Sequence, residues 1–278
     1  MKTLLTFAIL IGTTLALSAC NPLTPSPRVL TPVTVQLQWT HQAQFAGFYA
    51  AAQKGYYADE GLAVSFIEGG PQVDMLTPVE NGSVQFGILN ADSLLLARAE
   101  GKPLRALAII LRRSPRVYMM LADSGIRRPQ DFVGKTIGIG FGGKPLLEAM
   151  LRRAGVTPNQ YKVVPAAPDL VDLYSGQIQV RGAFLTNEVI TAQRAGHRLN
   201  IIYPDDYGIH SYADTLFATH ATIQQNPDLV RRFLRATLKG WTYAIENPGT
   251  VGTLVQSYEP KADAAFENQK MEASIPLV

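Results

Sequence analysis

The sequence predicts a two-lobed α/β protein. Three observations predict it: ten short β-branched runs recur along the chain, amphipathic helical stretches separate nearly all of them, and from Asn226 onward the signals turn entirely helical. Ten strands exceed what one small sheet usually holds, so two α/β lobes are the economical reading. The chain has 278 residues, is 47% hydrophobic and 17% charged, and holds one Cys. Disordered, collagen-like, coiled-coil and disulfide-scaffold proteins need a different composition. A formal charge of +3 is too mild for an electrostatic nucleic-acid or membrane-surface binder, which leaves a small-molecule partner.

In chain order, Lys2, an apolar run over residues 4–17 and Leu17-Ser-Ala-Cys20 read as a secretory signal. The run is shorter than the roughly 20 residues a membrane-spanning helix needs, so residues 1–19 are expected to be removed. The Leu-x-Ala-Cys ending resembles a bacterial lipobox and makes Cys20 the expected site of lipidation, the only membrane attachment expected. Residues 20–32, rich in Pro, read as a tether. Strands are expected at residues 33–37, 63–67, 84–88, 104–110, 117–122, 136–140, 161–164, 180–184, 200–203 and 215–219. A helix is expected over 45–54, before the turn Gly55-Tyr-Tyr-Ala-Asp-Glu-Gly61. Asn226 as N-cap and Pro227 at the first helical position open the C-terminal helices. Crossovers near residues 111–116 and 204–212 assign 33–114 with 213–278 to lobe I and 115–212 to lobe II. Ligands of such folds bind in a crevice between strand ends and helix starts.

Gly138-Ile-Gly140-Phe-Gly-Gly143-Lys144-Pro145 matches two nucleotide-binding patterns and satisfies neither. A P-loop needs Ser or Thr where Pro145 stands, and a dinucleotide site needs a carboxylate that residues 155–168 do not hold. A glycine turn remains, either purely structural or aiming backbone N–H groups of the Gly142-Gly143-Lys144 loop at a cleft. In the segment running from Gln38 to Tyr49, Trp39, Gln44 and Phe45 are candidates to sandwich a flat heterocycle and read its edge, whereas Phe48 reads as core. Asn187 and Glu188 follow a strand and open a helix: either they cap it, or the carboxylate accepts a hydrogen bond from a ligand amino group. Asp205, Asp206 and Tyr207 lie in a turn at the second crossover. The four histidines at 41, 197, 210 and 220 show no metal spacing, and no metal or cofactor is expected.

The stretch from Leu37 to Ala51, then Lys54-Gly-Tyr-Tyr-Ala-Asp-Glu-Gly-Leu62, Asn90 to Gly101, Asp131 to Gly138, Thr186-Asn-Glu188 and Asp206-Tyr-Gly208, resembles in order the NMT1/THI5-like substrate-binding proteins of ABC importers. The resemblance covers roughly residues 33–258 and lies nearest the branch that binds pyrimidine precursors of thiamine. It implies a type II periplasmic-binding-protein fold and a monomer delivering a small heterocyclic solute, formylaminopyrimidine or hydroxymethylpyrimidine, to ABC permease subunits. Trp39 would then stack on the ring. Asn90 and Asp92 would form the first-lobe wall, Gly142, Gly143 and Lys144 the second-lobe floor. Glu188 would pair with the ring amino group while Asp206 and Tyr207 closed the hinge side. Family members usually run further, so the last helices are expected to be missing after Val278. Alternatives from other classes are a riboflavin-, sulfonate- or nitrate-binding protein, an extracytoplasmic sensory domain, and the pyrimidine-synthesising enzymes of the same fold. Those enzymes carry a Cys-rich iron motif that one Cys cannot supply.

Overall fold

The computed structural model describes residues 29–70, 73–140, 143–167 and 169–278. The leader, Cys20, most of the tether and Gly142 therefore lie outside the described residues. Ten strands form: β1 (Thr31–Gln36), β2 (Leu62–Ile67), β3 (Phe86–Leu89), β4 (Leu104–Leu111), β5 (Arg116–Leu121), β6 (Thr136–Ile139), β7 (Lys162–Pro165), β8 (Val180–Phe184), β9 (Leu199–Ile202) and β10 (Ala213–Thr219). Each overlaps a run expected from β-branched content. The α-helices are α1 (Ala46–Gln53), α2 (Tyr56–Asp59), α3 (Thr77–Glu80), α4 (Ala91–Ala99), α5 (Lys144–Arg153), α6 (Val171–Tyr174), α7 (Glu188–Arg194), α8 (His220–Gln225), α9 (Pro227–Glu246), α10 (Val251–Gln256) and α11 (Ala264–Ser274).

The strands divide into two five-stranded sheets of matching topology, β2-β1-β3-β10-β4 and β7-β6-β8-β5-β9. In the first, β1 runs parallel to β2 and β3, and β10 runs antiparallel to β3 and β4. In the second, β6 runs parallel to β7 and β8, and β5 runs antiparallel to β8 and β9. The two antiparallel intruders, β5 and β10, are the strands that follow each passage of the chain between sheets. Their starts therefore lie at the same edge as the carboxyl ends of the parallel strands, and that edge faces the other lobe.

Both faces of each sheet are covered, as parallel strands require. The largest core packs α1, α9, α10 and α11 on the first sheet around Phe48, Phe86, Phe233 and Trp241. Helices α1 and α9 meet at glycine: a Cβ on Gly240 would lie 2.1 Å from the Gly47 carbonyl oxygen, so no larger residue fits without moving a backbone. Two further clusters cover the faces of the second sheet, one around Tyr118 and Phe132, the other around Val117 and Met119.

Candidate functional site

A cleft of about 960 Å³ opens between the two sheet edges. Residues after β1 (Gln38, Trp39 and Gln42) and at the start of α4 (Asn90 and Ser93) line one wall, together with Lys270 and Ser274 of α11. The other wall comes from the end of β6, from β8 and its turn into α7, and from Arg116 at the start of β5.

Of the residues singled out from sequence, Trp39, Gln44, Asn90, Asn187 and Glu188 meet in this cleft. Trp39 is half-buried, its other side packed on the first-lobe core. Asn90 and Asn187 both occupy N-cap positions without making a side-chain cap bond, so neither amide is committed to its helix. The Asn90 Oδ1 is buried and unpartnered. Glu188 Oε2 accepts the Phe184 N–H at 2.8 Å, tying the β8–α7 turn and leaving Oε1 with no partner among the described residues. Both roles left open for Glu188 are thus compatible: one oxygen holds the turn while the other remains for the cleft.

Other expectations are not met by the geometry. Phe45 is fully buried and sits edge-on to Tyr49 at 6.4 Å, because it lies three residues before Phe48 on the inward face entering α1. Lys144 points outward and pairs with Glu148 at 3.6 Å, the i,i+4 geometry of the first turn of α5. Asp92 does not line the cleft; its Oδ1 accepts the Ser93 N–H at 2.9 Å. Gly143 stands behind the wall, where a Cβ would come 2.3 Å from Ile139 Cγ2 and 2.7 Å from Arg116 Nη1. Asp206 lines a separate cavity beside the hinge, with Arg113 and Ser114, and Tyr207 packs on the second-lobe core.

What sequence reasoning missed is a polar chain beneath the first wall. Lys270 Nζ pairs with Glu267 Oε1 at 2.7 Å and donates to Gln42 Oε1 at 3.4 Å. Gln42 Nε2 donates to Gln44 Oε1 at 2.9 Å, and Gln44 Nε2 to Asp214 Oδ1 at 2.7 Å. Gln38 Nε2 also donates to that oxygen. An ammonium can only donate, so Lys270 sets the direction in which each amide along the chain must point. The far end is the Gln38 carbonyl oxygen, an acceptor at the cleft with no partner among the described residues. Asp214 is 1% exposed and sits at φ +49, and burial raises its carboxyl to about pKa 7 against the pull of the two glutamines. Of these residues only Gln44 was singled out from sequence as a ligand candidate, and no signal tied it to Lys270 or Asp214. Otherwise only the glutamine content, three amides within seven positions, was visible.

Among the described residues the cleft thus offers an aromatic face, acceptors at Gln38 and Glu188, free amides and two cations, Arg116 and the Glu267-paired Lys270. Among the described residues no cluster of three or more His, Cys, Asp or Glu could hold a metal ion, and no helix is long and apolar enough to cross a membrane. Comparison with known proteins covers most of the chain. The formylaminopyrimidine-binding protein of Halalkalibacterium halodurans is 26% identical over 272 residues, spanning 95% of this chain and 82% of its own length. The riboflavin-binding protein RibY of Chloroflexus aurantiacus is 28% identical, over 98% of this chain and 84% of its own. A 4-amino-5-hydroxymethyl-2-methylpyrimidine phosphate synthase of Legionella pneumophila is 27% identical, over 88% and 79%. Among solved structures, the periplasmic aliphatic sulphonate binding protein SsuA of Escherichia coli superposes with a TM-score of 0.73 at 15% identity, covering 88% of this chain and 84% of its own. That likeness shows the periplasmic-binding-protein fold. The family model described as NMT1/THI5 like matches residues 42–251, most of the described chain, and the protein belongs to that NMT1/THI5-like family.

Proposed function

We propose that this is a lipid-anchored, extracytoplasmic solute-binding protein of an ABC importer, which takes a pyrimidine precursor of thiamine into the inter-lobe cleft. The observation that carries the reading is Glu188: a half-buried carboxylate with one oxygen free, facing a cleft that also holds Trp39. An aminopyrimidine presents a donor and an acceptor on one edge of a flat ring. The ring suits the indole face, the amino group suits Glu188, and the free amides of Asn90 and Asn187 complement the remaining edge. The full-length similarity to the formylaminopyrimidine-binding protein supports the same solute class. Binding without turnover is proposed because, among the described residues, no cleft side chain pairs a nucleophile with a base, the arrangement covalent catalysis uses.

Isothermal titration with formylaminopyrimidine and hydroxymethylpyrimidine, beside riboflavin and an aliphatic sulfonate, tests the reading. The pyrimidines are expected to bind, and Glu188→Gln to weaken them about ten- to a hundred-fold, the worth of one charge-assisted hydrogen bond. Binding of riboflavin or the sulfonate alone would move the protein to another branch of the family. The anchor is checked separately: fatty-acid labelling of the full chain is expected to vanish in Cys20→Ser, and labelling that persists would exclude that cysteine.

A further inference from the structure

Three cationic side chains are buried among the described residues, and two of them are ion-paired. Arg181 pairs with Asp172 at 3.1 Å and donates to the Ala167 carbonyl at 2.7 Å. Lys270 pairs with Glu267 at 2.7 Å. The third, Arg116, is 9% exposed, and its guanidinium makes no hydrogen bond or ion pair with any described residue. Its neighbours are the Phe184 ring, 5.5 Å from Cζ, and Gly143, whose missing side chain leaves room for Nη1. Its remaining exposure faces the cleft and the adjoining hinge cavity.

A buried charge without a partner among the described residues is costly, so it does not hold the ligand-free fold together and its removal should not lower the melting temperature. Retaining it makes physical sense if the partner arrives with the solute. The same wall holds Glu188, also without an ion pair and too far from Arg116 to form one with it. Among the described residues, the cleft therefore presents one unpaired cation and one unpaired anion on a single wall.

We infer that Arg116 is an oxyanion subsite, so that the solute is dipolar: an amino heterocycle that also carries a phosphate, sulfonate or carboxylate group. The inference rests on the heterocycle reading of the cleft and extends it from a neutral ring to a charged one. Arg suits the role because its planar fork matches an oxyanion with two parallel hydrogen bonds, and the guanidinium is pre-oriented against Phe184. The starts of antiparallel strands lie at the ligand edge of both sheets, so β5 delivers this side chain beside the turn that delivers Glu188.

The test compares hydroxymethylpyrimidine with its phosphate ester and with the corresponding pyrimidine carboxylate, in the wild type, Arg116→Gln and Arg116→Lys. The wild type is expected to bind at least one anionic form ten or more times tighter than the neutral alcohol. The ratio should fall to about one in Arg116→Gln and survive in part in Arg116→Lys. The ligand-free Arg116→Gln protein should melt no lower than the wild type, which a structural role would not allow. Equal binding of charged and neutral forms by the wild type, or a ratio that persists in Arg116→Gln, overturns the inference. If no pyrimidine binds, the heterocycle reading fails and inorganic sulfate decides the subsite alone: a saturable rise in melting temperature absent from Arg116→Gln upholds it, and no rise rejects it.

Discussion

Asp214 shows how a single residue can be set by its surroundings against its own chemistry. It is an aspartate with almost no exposure, in a left-handed backbone conformation, with two glutamine amides on Oδ1 and no partner for Oδ2. Burial raises its carboxyl from 3.8 to about 7, so the folded chain holds a proton there that the unfolded chain releases between those two values. Folding takes up a proton across that window. This residue's contribution to stability is therefore complete below about pH 4, falls as the pH rises toward 7, and stays low above it. Asp214→Asn is expected to remove this slope, because Asn keeps the acceptor at Oδ1, tolerates the left-handed conformation and cannot ionise. Melting temperatures of the two proteins between pH 4 and 8 should diverge upward, with the variant the more stable at pH 8 by a few kcal/mol at most. Parallel curves would mean that Asp214 is not protonated in the fold. The lesson extends to Glu188, whose cap-like position said nothing of the free oxygen that the turn leaves over.

At the scale of elements, α7 and α11 make a contact that spans the lobes. Helix α7 packs on β8 and β9 of the second sheet, whereas α11 packs with α9 and α10 against the first. Asp263, the N-cap of α11, accepts the N–H groups of Ala265 and Phe266 and also pairs with Arg194 of α7 at 2.8 Å. The Arg194 guanidinium lies 4.7 Å from the Phe266 ring. This is a half-exposed pair, worth about 0–1 kcal/mol, placed where it holds the two lobes together. Arg194→Ala is expected to speed solute dissociation by up to about fivefold and to leave the ligand-free melting temperature nearly unchanged. Stopped-flow chase measurements read this directly; an unchanged rate would show that the contact does not hold the closed form. Helix α11 carries a second duty, since Glu267 accepts the Ala43 N–H at 2.6 Å and Lys270 orients the glutamines of the cleft. Neither duty was visible in its sequence, where Glu267 and Lys270 look like an ordinary i,i+3 surface pair. Burial to 5% and 8% makes the pair part of the interior instead, with Lys270 on the cleft wall.

For the whole molecule, the two-lobed α/β reading held because strand and helix signals are local: β-branched runs, glycine turns and Pro227 at the start of α9 are all written within a few residues of one another. The C-terminal helices, however, open earlier than expected, at α8 under the Thr219 cap, and Asn226 makes no side-chain cap bond. The carboxyl-end positions of the cleft, Trp39, Asn90 and Glu188, were legible for the same reason, since each directly follows a strand or opens a helix. Arg116 and Asp214 escaped notice because they begin strands, and the beginning of a strand faces a ligand only when that strand runs against its sheet. That orientation depends on pairing with β8 and β9 in one sheet and with β3 and β4 in the other, partners separated in sequence by many tens of residues. The sequence by itself determined the elements, their order and the family. The tertiary structure alone decided which buried charges find partners and which are left facing the cleft, because pairing of charges depends on distances that close only when the two sheets meet.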